Sequence, residues 1–435
     1  MTRTAAFSAV ALVGAAVASP AAAAPLLAHQ APLVIDNAAT AWILTSTALV
    51  LLMTLPGLAL FYGGMVRKKN IISVIAQSAA AFAIVSVLWF LVGYSLSFGK
   101  GPDAINGFVG GVEAAFLNGV TMQTAHSLLP GLPELLFVSF QMTFAIITPA
   151  LIAGAFAERM KFSASLLFFA LWHLIVYAPI CHQVWGGGYL GGLGVLDFAG
   201  GAVVHVSAGV AGLVCALVLG PRHGFGRDNM APANLVYSAI GTGLLLVGWI
   251  GFNAGSAGAA DALAATAAFN TILAAGAAAL SWMTIEWFDR KRPTLLGLLS
   301  GVVGGLVAIT PAAGFVDPKG AFFIGLIAGP ACYAGAVWLK HALKYDDSLD
   351  AFGVHGVGGI VGALLTGVFA TTSINALSEG ATVWKQAIGL GGAIVWSAVG
   401  TFVVLMICKF TTGLRVTKDE EVEGLDYTQH GEAIH

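Results

Sequence analysis

The stretch Asp197-Phe-Ala-Gly-Gly-Ala-Val-Val-His205-Val-Ser-Ala-Gly209-Val-Ala-Gly212 opens an apolar segment that is long enough to cross a bilayer. A second stretch, Asp347-Ser-Leu-Asp-Ala-Phe-Gly-Val-His355-Gly-Val-Gly-Gly359-Ile-Val-Gly362, repeats its pattern D-x7-H-x3-G-x2-G. A carboxylate and an imidazole inside an apolar span are costly, so they suggest a functional site. Both glycines lie on the histidine face of a helix, where small residues let a second helix approach closely. The pattern indicates a duplicated membrane protein with paired histidines in its core.

The composition is that of a polytopic membrane protein. Of the 435 residues, 58% are hydrophobic and only 9% are charged, whereas a soluble domain carries about 25% charged residues. The net charge is −2 and there is no basic patch, so nucleic acid is not an expected partner. The four cysteines show no CxxC spacing and are interpreted as small apolar residues without a disulfide framework.

Residues 1–24 resemble a secretory signal, with Arg3, an apolar run and a small-residue end; the alternative is an uncleaved extra span. Eleven long apolar segments then follow. We predict an all-α polytopic fold whose transmembrane helices lie near residues 40–63, 71–98, 134–157, 162–182, 196–220, 232–252, 259–287, 294–312, 320–344, 351–373 and 383–411.

The distribution of Lys and Arg predicts the orientation. Alternate loops and the tail hold fifteen of these residues, whereas the other loops hold only Lys100, Lys319 and Lys385. The positive-inside rule places the first set in the cytoplasm. We therefore expect a multi-pass protein of the cell inner membrane, with the mature N-terminus outside and the C-terminus inside.

The paired pattern falls on the fifth and the tenth segments, and five is an odd number, so the two halves should have opposite orientations. This is the inverted-repeat plan of many transporters, with a site near the midplane. We predict a first five-helix repeat over 40–220, an inverted second repeat over 232–373, an eleventh helix over 383–411 and a polar cytoplasmic tail over 412–435.

Three interpretations of His205 and His355 are open from the residues alone. They could be two independent packing histidines, each bonded to a backbone carbonyl. They could bind a metal, although two histidines without a carboxylate or thiolate partner make a poor site. The matched setting favours the third interpretation, in which two imidazoles in contact donate and accept hydrogen bonds along the path of a small solute.

Asp197 and Asp347 fit helix N-caps, and a carboxylate beside an outer vestibule would also lower the cost of a cation; the two roles can coexist. Trp185 precedes three glycines and Ser256 lies in a Gly-rich turn, both near the predicted outer surface. Interfacial anchoring explains a lone Trp, but this setting favours a shaped vestibule. Aromatic faces and a hydroxyl suit a small cation.

Several long motifs resemble the ammonium transporter (Amt/Mep/Rh) family and cover essentially all of the mature chain. They are Ala157-Glu-Arg-Met-Lys-Phe162, the stretch from Asp197 to Gly212, Gly248-Trp-Ile-Gly-Phe-Asn-Ala-Gly-Ser256, Thr310-Pro-Ala312 and Phe352-Gly-Val-His355-Gly. The aromatic vestibule favours the bacterial Amt branch. The resemblance implies an eleven-helix pore protein that forms homotrimers, with one pore in each subunit, and that transports ammonium or ammonia without a cofactor or metal.

The resemblance also implies residue roles. Phe144, Trp185 and Ser256 match the outer ammonium-recruiting site, and Phe144 with Phe252 matches a stacked phenylalanine gate. His205 and His355 match the twin histidines of the pore, and Asp197 matches a structurally essential acidic residue. Further pore or vestibule positions are matched by Trp249, Gln141, Thr310 and Tyr62. The tail resembles a regulatory segment that works with a GlnK-type nitrogen regulatory protein.

Other functions are weighed beside this one. A sensor of the same fold would signal through the tail, and the short tail argues against it. A transporter of methylamine or carbon dioxide would need a change in the pore residues, and none is apparent. A membrane enzyme lacks support, because the sequence offers no nucleophile–base pair and no metal cluster.

Overall fold

The computed structural model describes residue 27 and residues 30–434. The signal predicted over residues 1–24 lies outside the described residues. Ten helices of the described part are long and apolar enough to cross a membrane, and they are α1 Asn37–Met65, α2 Lys68–Phe98, α3 Glu134–Phe156, α4 Phe162–Gly192, α5 Gly201–Leu219, α6 Leu235–Gly255, α7 Ala262–Arg290, α9 Pro318–Leu343, α10 Phe352–Phe369 and α11 Val383–Thr411.

The eighth predicted segment forms a shorter apolar helix, α8, over Leu295–Ile309. At about 1.5 Å per residue it is about 22 Å long, less than the roughly 30 Å of a hydrocarbon core. Eleven membrane-crossing helices therefore stay a prediction. The helical, multi-pass fold itself is confirmed, and the ends of most helices lie within a few residues of the predicted limits.

Polar side chains fix where many of these helices begin, because the first backbone N–H groups of a helix have no partner inside it. The side chain at the N-cap accepts a hydrogen bond from the first turn in six cases: Asp36, Asn234, Asp261, Thr294, Asp317 and Thr382. α1 is kinked at Leu55, which precedes Pro56 inside the helix. α4 is interrupted after Val184 by the turn that carries Trp185.

The smaller elements gather at the two ends of the bundle. Strands β1 Gln30–Pro32 and β2 Thr124–His126 pair antiparallel beside the start of α3. Helices α12 Lys418–Glu423 and α13 Leu425–His430 form the tail at the other end. We call the end with the tail the tail face, which the charge pattern predicts to be cytoplasmic, and the opposite end the vestibule face.

Helices α5 and α10 lie at the centre of the bundle and contact each other closely. A Cβ on Gly209 of α5 would meet the backbone N of Gly356 at 2.2 Å, and a Cβ on Gly359 of α10 would meet a methyl group of Val206 at 2.8 Å. Each glycine thus lies against the residue that follows the histidine of the other helix. The two copies of the pattern therefore pack against each other reciprocally, while the inverted five-helix repeat stays a prediction.

Candidate functional site

A cavity of about 490 Å³ opens at the vestibule face and brings together most of the predicted outer residues. Among the predicted residues it is lined by Gln141, Phe144, Trp185, Asp197 and Ser256. Its other walls are largely apolar, which suits a small cation that is held by aromatic faces and a few polar atoms. We call it the vestibule cavity.

Trp185 is held in place by two neighbours. Its indole N–H donates to the backbone carbonyl of Asp197 over 2.8 Å. Its ring meets the ring of Phe144 edge to face, with 5.9 Å between centroids. A fixed ring at the mouth of a cavity can present its face to a cation without further loss of side-chain freedom.

Ser256 and Gln141 supply polar atoms to the same cavity. The Ser256 hydroxyl donates to the carbonyl of Phe252 over 2.8 Å, so the lone pairs on its oxygen can accept from a solute. The buried Gln141 Oε1 has no hydrogen-bond partner among the described residues. Both oxygens are therefore suited to receive N–H donors.

Two stacked phenylalanine rings separate the vestibule cavity from the interior. The centroids of Phe144 and Phe252 lie 4.3 Å apart at an interplanar angle of 24°. Both side chains are buried. The structure thus places the two predicted gate residues in contact.

Behind these rings is a very small chamber of about 10 Å³, lined by His205, His355, Trp249 and apolar side chains from α1, α3, α6 and α8. This volume is about that of one water-sized probe. We call it the histidine chamber. Its walls apart from the imidazoles offer almost no polar surface.

The two imidazoles stack on each other. Their ring centroids lie 5.4 Å apart at 18°, and His205 also stacks on Trp249 at 5.2 Å. Both nitrogens of His205 and Nδ1 of His355 are buried without a hydrogen-bond partner among the described residues. The alternative in which each histidine is bonded to a backbone carbonyl does not apply to these three nitrogens. These three nitrogens therefore keep their capacity to form hydrogen bonds inside the chamber.

Two further predicted residues support the chamber from behind. The Trp249 indole donates to the Thr310 hydroxyl over 2.8 Å, and that hydroxyl donates to the Leu306 carbonyl. The Tyr62 hydroxyl donates to the carbonyl of Leu151 over 3.1 Å. Tyr62 and Thr310 line neither cavity, so both act on the site through the residues they hold.

Asp197 begins the first histidine helix, although it is not at the N-cap position. Its carboxylate accepts from the backbone N–H groups of four successive residues, Gly200, Gly201, Ala202 and Val203, at 2.6–3.0 Å. The chain can bend back in this way because Gly200 has a φ of 110°, a region open to glycine. The capping role is therefore observed, and the carboxylate also borders the vestibule cavity.

Asp347 begins the second histidine helix in a related way. Its carboxylate accepts from the N–H groups of Ala351 and Phe352 at 3.1 and 2.7 Å. The third residue after it, Asp350, has a φ of 60° and forms an ion pair with Lys340. The two turns thus share a left-handed residue at the same position of the pattern.

A buried ionic network on the tail face was not assigned a role from the sequence. Arg222 pairs with Glu158 and with Asp346, and Arg67 also pairs with Glu158. Burial raises the pKa of the Glu158 carboxyl, but the Arg222 and Arg67 guanidinium groups outweigh this effect and hold the pKa below its usual value. The signal available in the sequence was Arg222 directly after an apolar helix end, but its partners lie far along the chain.

The tail packs onto this network. The Glu421 carboxylate accepts from the backbone N–H of His223 and pairs with Arg415 at 2.7 Å. Asp426 accepts from the backbone N–H of Ser73 over 2.8 Å. Because Asp346 directly precedes Asp347, the tail is connected through Arg222 to the start of the His355 helix.

Comparison with known proteins points to one family. A model of the Ammonium Transporter Family matches residues 41–434. The ammonium transporter of Bacillus subtilis is 49% identical over 401 residues, covering 89% of this chain and 96% of the relative. That of Aquifex aeolicus is 48% identical over 410 residues, covering 92% and 94%.

Solved structures show the same likeness. The crystal structure of Mep2 from Saccharomyces cerevisiae is 37% identical, covers 88% of both chains and has a TM-score of 0.81. A structure described as a sensor Amt protein is 32% identical, covers 91% of this chain and 98% of its own, and has a TM-score of 0.83. By sequence and by structure, this chain belongs to the ammonium transporter family.

Proposed function

We propose that this chain captures ammonium in the vestibule cavity, removes its proton and conducts ammonia past the histidine pair. The observation that carries the proposal is the change in size and polarity from the vestibule cavity to the histidine chamber. A roomy aromatic cavity of about 490 Å³ is followed by a closed phenylalanine pair and then by an apolar chamber of about 10 Å³. Since the family consists of transporters, the sequence prediction that the chain is not an enzyme is confirmed.

The relative cost of two routes favours deprotonation. Moving a bare ammonium-sized ion into a medium of low dielectric costs on the order of 20 kcal/mol in the idealised limit. Removing its proton at neutral pH costs about 4 kcal/mol if its pKa is that of a Lys-like amine. The apolar chamber therefore admits ammonia far more readily than ammonium. Potassium has no proton to release, so the same barrier excludes it.

The histidines take two roles in this proposal. Neutral imidazoles offer one donor and one acceptor each, which guides ammonia through a tube that is otherwise apolar. The stacked pair also offers a relay if the proton crosses with the solute. Return of the proton to the outside is the alternative, and a charge measurement during transport separates the two.

The test is uptake of labelled methylammonium by cells that express the chain. We expect saturable uptake that ammonium competes away and potassium does not. Cells with an equal amount of the Asp197→Ala chain in their membranes serve as the control. Uptake that potassium inhibits as strongly as ammonium does would contradict the proposal.

A sensor function is the second candidate, because the chain is similar in structure to a protein described as a sensor Amt protein. In that case ligand binding would change the tail, and flux would be secondary. Saturable binding of ammonium to the purified chain without uptake by cells would favour the sensor. The transporter is favoured if the amount of ammonium that the cells take up each second is similar to the amount that the protein binds at saturation.

We propose that the chain works as a homotrimer in the cell inner membrane, with the tail face in the cytoplasm. We also propose that the tail binds a GlnK-type regulatory protein. The family resemblance supports both, and the packing of the tail against residues that lead to the His355 helix gives the regulator a mechanical connection to the pore. Deleting residues after Thr412 should abolish regulator binding or reduce transport while membrane insertion persists. Unchanged regulation and transport would contradict the coupling.

A further inference from the structure

A cavity of about 380 Å³ lies on the tail face, between the loop after α5 and the tail. Four basic side chains line it: Arg222, Arg227, Arg415 and Lys418. Glu421 is the one acidic residue of its lining. We call it the basic cavity. None of the roles proposed above uses its space.

Two of the four basic groups are fixed in place. The Arg222 guanidinium donates to Asp346 and Glu158 over 2.8–3.2 Å. The Arg415 guanidinium donates to Glu421 and to the carbonyl of Leu219 over 2.7–3.3 Å. A guanidinium has five N–H donors, and each of these groups uses three of them. Both keep donors for a further acceptor and lose little freedom on binding one.

The other two basic groups are exposed and lie on opposite walls. Arg227 belongs to the loop and Lys418 to the tail. Neither forms an ion pair within residues 30–434. Since Arg222 and Arg415 are already paired with carboxylates, Arg227 and Lys418 are the two charges left unbalanced, and they repel each other across the cavity. A multivalent anion would relieve this repulsion and draw the loop and the tail together.

We propose that the basic cavity binds a small soluble molecule with phosphoryl groups, such as a diphosphate or a nucleotide, and that this anion bridges the loop and the tail. Guanidinium groups bind phosphate oxygens in pairs, and this fit favours phosphoryl groups over chloride. A carboxylate would neutralise one charge, whereas a diphosphate carries several. The volume lies at the lower end of the range for small-molecule sites.

Isothermal titration calorimetry of the full chain in phosphatidylcholine nanodiscs tests the site, with pyrophosphate as the probe. We expect saturable binding that weakens about tenfold or more in the Arg227→Gln/Lys418→Gln variant, because two charge-assisted contacts are lost. The control is Arg292→Gln/Lys409→Gln, which removes two exposed charges elsewhere on the tail face. Absence of saturable binding, or equal weakening in both variants, would overturn the proposal.

Limited digestion with a glutamyl endopeptidase tests the bridge, because the tail holds Glu420, Glu421 and Glu423 and neither variant removes a glutamate. Pyrophosphate should slow cleavage in the tail of the wild-type chain and of the control variant, but not of the Arg227→Gln/Lys418→Gln variant. Binding without protection would overturn the bridging role.

Nanodiscs that contain phosphatidylglycerol identify the source of the phosphoryl group. If this lipid competes with pyrophosphate, the occupant is a headgroup and the soluble ligand is overturned. The readouts need no transport, so failure here leaves the proposed transport function standing.

Discussion

The two histidine helices share one sequence pattern but differ in what surrounds their first turns. Asp197 receives four backbone N–H groups, and no cation within residues 30–434 pairs with it. Asp347 receives two, and the Lys340–Asp350 ion pair lies beside it. The Asp197 carboxylate thus bonds to the turn that follows it, beside the vestibule cavity. The turn after Asp347 instead lies among the charged side chains of the tail face. This difference shows that a repeated sequence pattern determines the local turn but not the contacts that each copy makes with the rest of the protein.

The largest effect is expected at the first carboxylate. Asp197→Ala leaves four N–H groups near the membrane without their acceptor, each worth about 1–3 kcal/mol when buried and unpaired. We expect ammonium uptake to be abolished and the melting temperature of the protein to fall. Asp197→Asn keeps an acceptor and should be milder in stability.

The matched change on the other helix sharpens this expectation. Asp347→Ala removes the acceptor of only two N–H groups and should lower the melting temperature less. The capping account fails if the Asn and Ala variants at residue 197 are equally stable and only the Ala variant is inactive. It also fails if the change at residue 347 is the more damaging one.

A second pair of variants tests the closeness of the helix contact. In Gly209→Ala the new methyl group would lie 2.2 Å from the backbone N of Gly356, and a backbone atom cannot move aside alone. In Gly359→Ala the nearest atom, at 2.8 Å, belongs to the Val206 side chain. Overpacking costs about 1–3 kcal/mol, so both should destabilise, Gly209→Ala more. Thermal unfolding in detergent measures the loss of stability in each variant. A larger loss in Gly359→Ala than in Gly209→Ala would show that the two helices can move apart easily.

A third comparison is between the two histidines as solute ligands. Replacing either with Ala opens space for water, and water lowers the barrier to intact ammonium and potassium. We expect each single variant to lose ammonium selectivity and to admit potassium, with the double variant little worse. His173→Ala is the control, since His173 is also buried and its two nitrogens have no hydrogen-bond partner in the described part of the chain, but it lines neither cavity. Ammonium and potassium currents on a supported membrane measure this selectivity. Wild-type selectivity in both single variants would show that the two histidines serve only in packing.

The smallest effect is expected at the cavity mouth. Trp185→Leu removes a cation–π partner worth about 0.5–2 kcal/mol, which weakens apparent affinity by roughly 2- to 30-fold. The saturated rate should be unchanged or higher, because a weakly held cation leaves more readily. Trp384→Leu, an exposed tryptophan outside the cavity lining, is the control. A lower maximal rate with unchanged concentration dependence would contradict the assignment.

The sequence predicted the helices well because apolar length and loop charge are local properties. It also predicted the pairing of His205 and His355, since a pattern repeated on helices of opposite predicted orientation is expected to bring the two histidines together. The motif resemblance assigned Phe144, Phe252 and Trp185 to neighbouring positions. In the structure Trp185 contacts Phe144, and Phe144 contacts Phe252. These predictions rest on spacing within a helix or on long motifs.

Other features depend on contacts between distant parts of the chain, which spacing does not encode. The left-handed turn at Asp350 could not be predicted from the residue type, because a positive φ is uncommon for any residue other than glycine. The pairing of Arg222 with Asp346 joins residues 124 positions apart. Tyr62 was expected at a pore or vestibule position, but it is held behind the chamber by a carbonyl of α3.

The hydrogen bond from the Trp185 indole to the Asp197 carbonyl has a consequence for how this protein can evolve. The residue that orients the aromatic ring at the entrance also places the first imidazole through its carboxylate. A substitution that displaces Asp197 therefore disturbs both the aromatic ring at the entrance and the alignment of the interior. Substitutions in the cavity walls around Trp185 and Asp197 should therefore be tolerated more readily than substitutions of Asp197 itself.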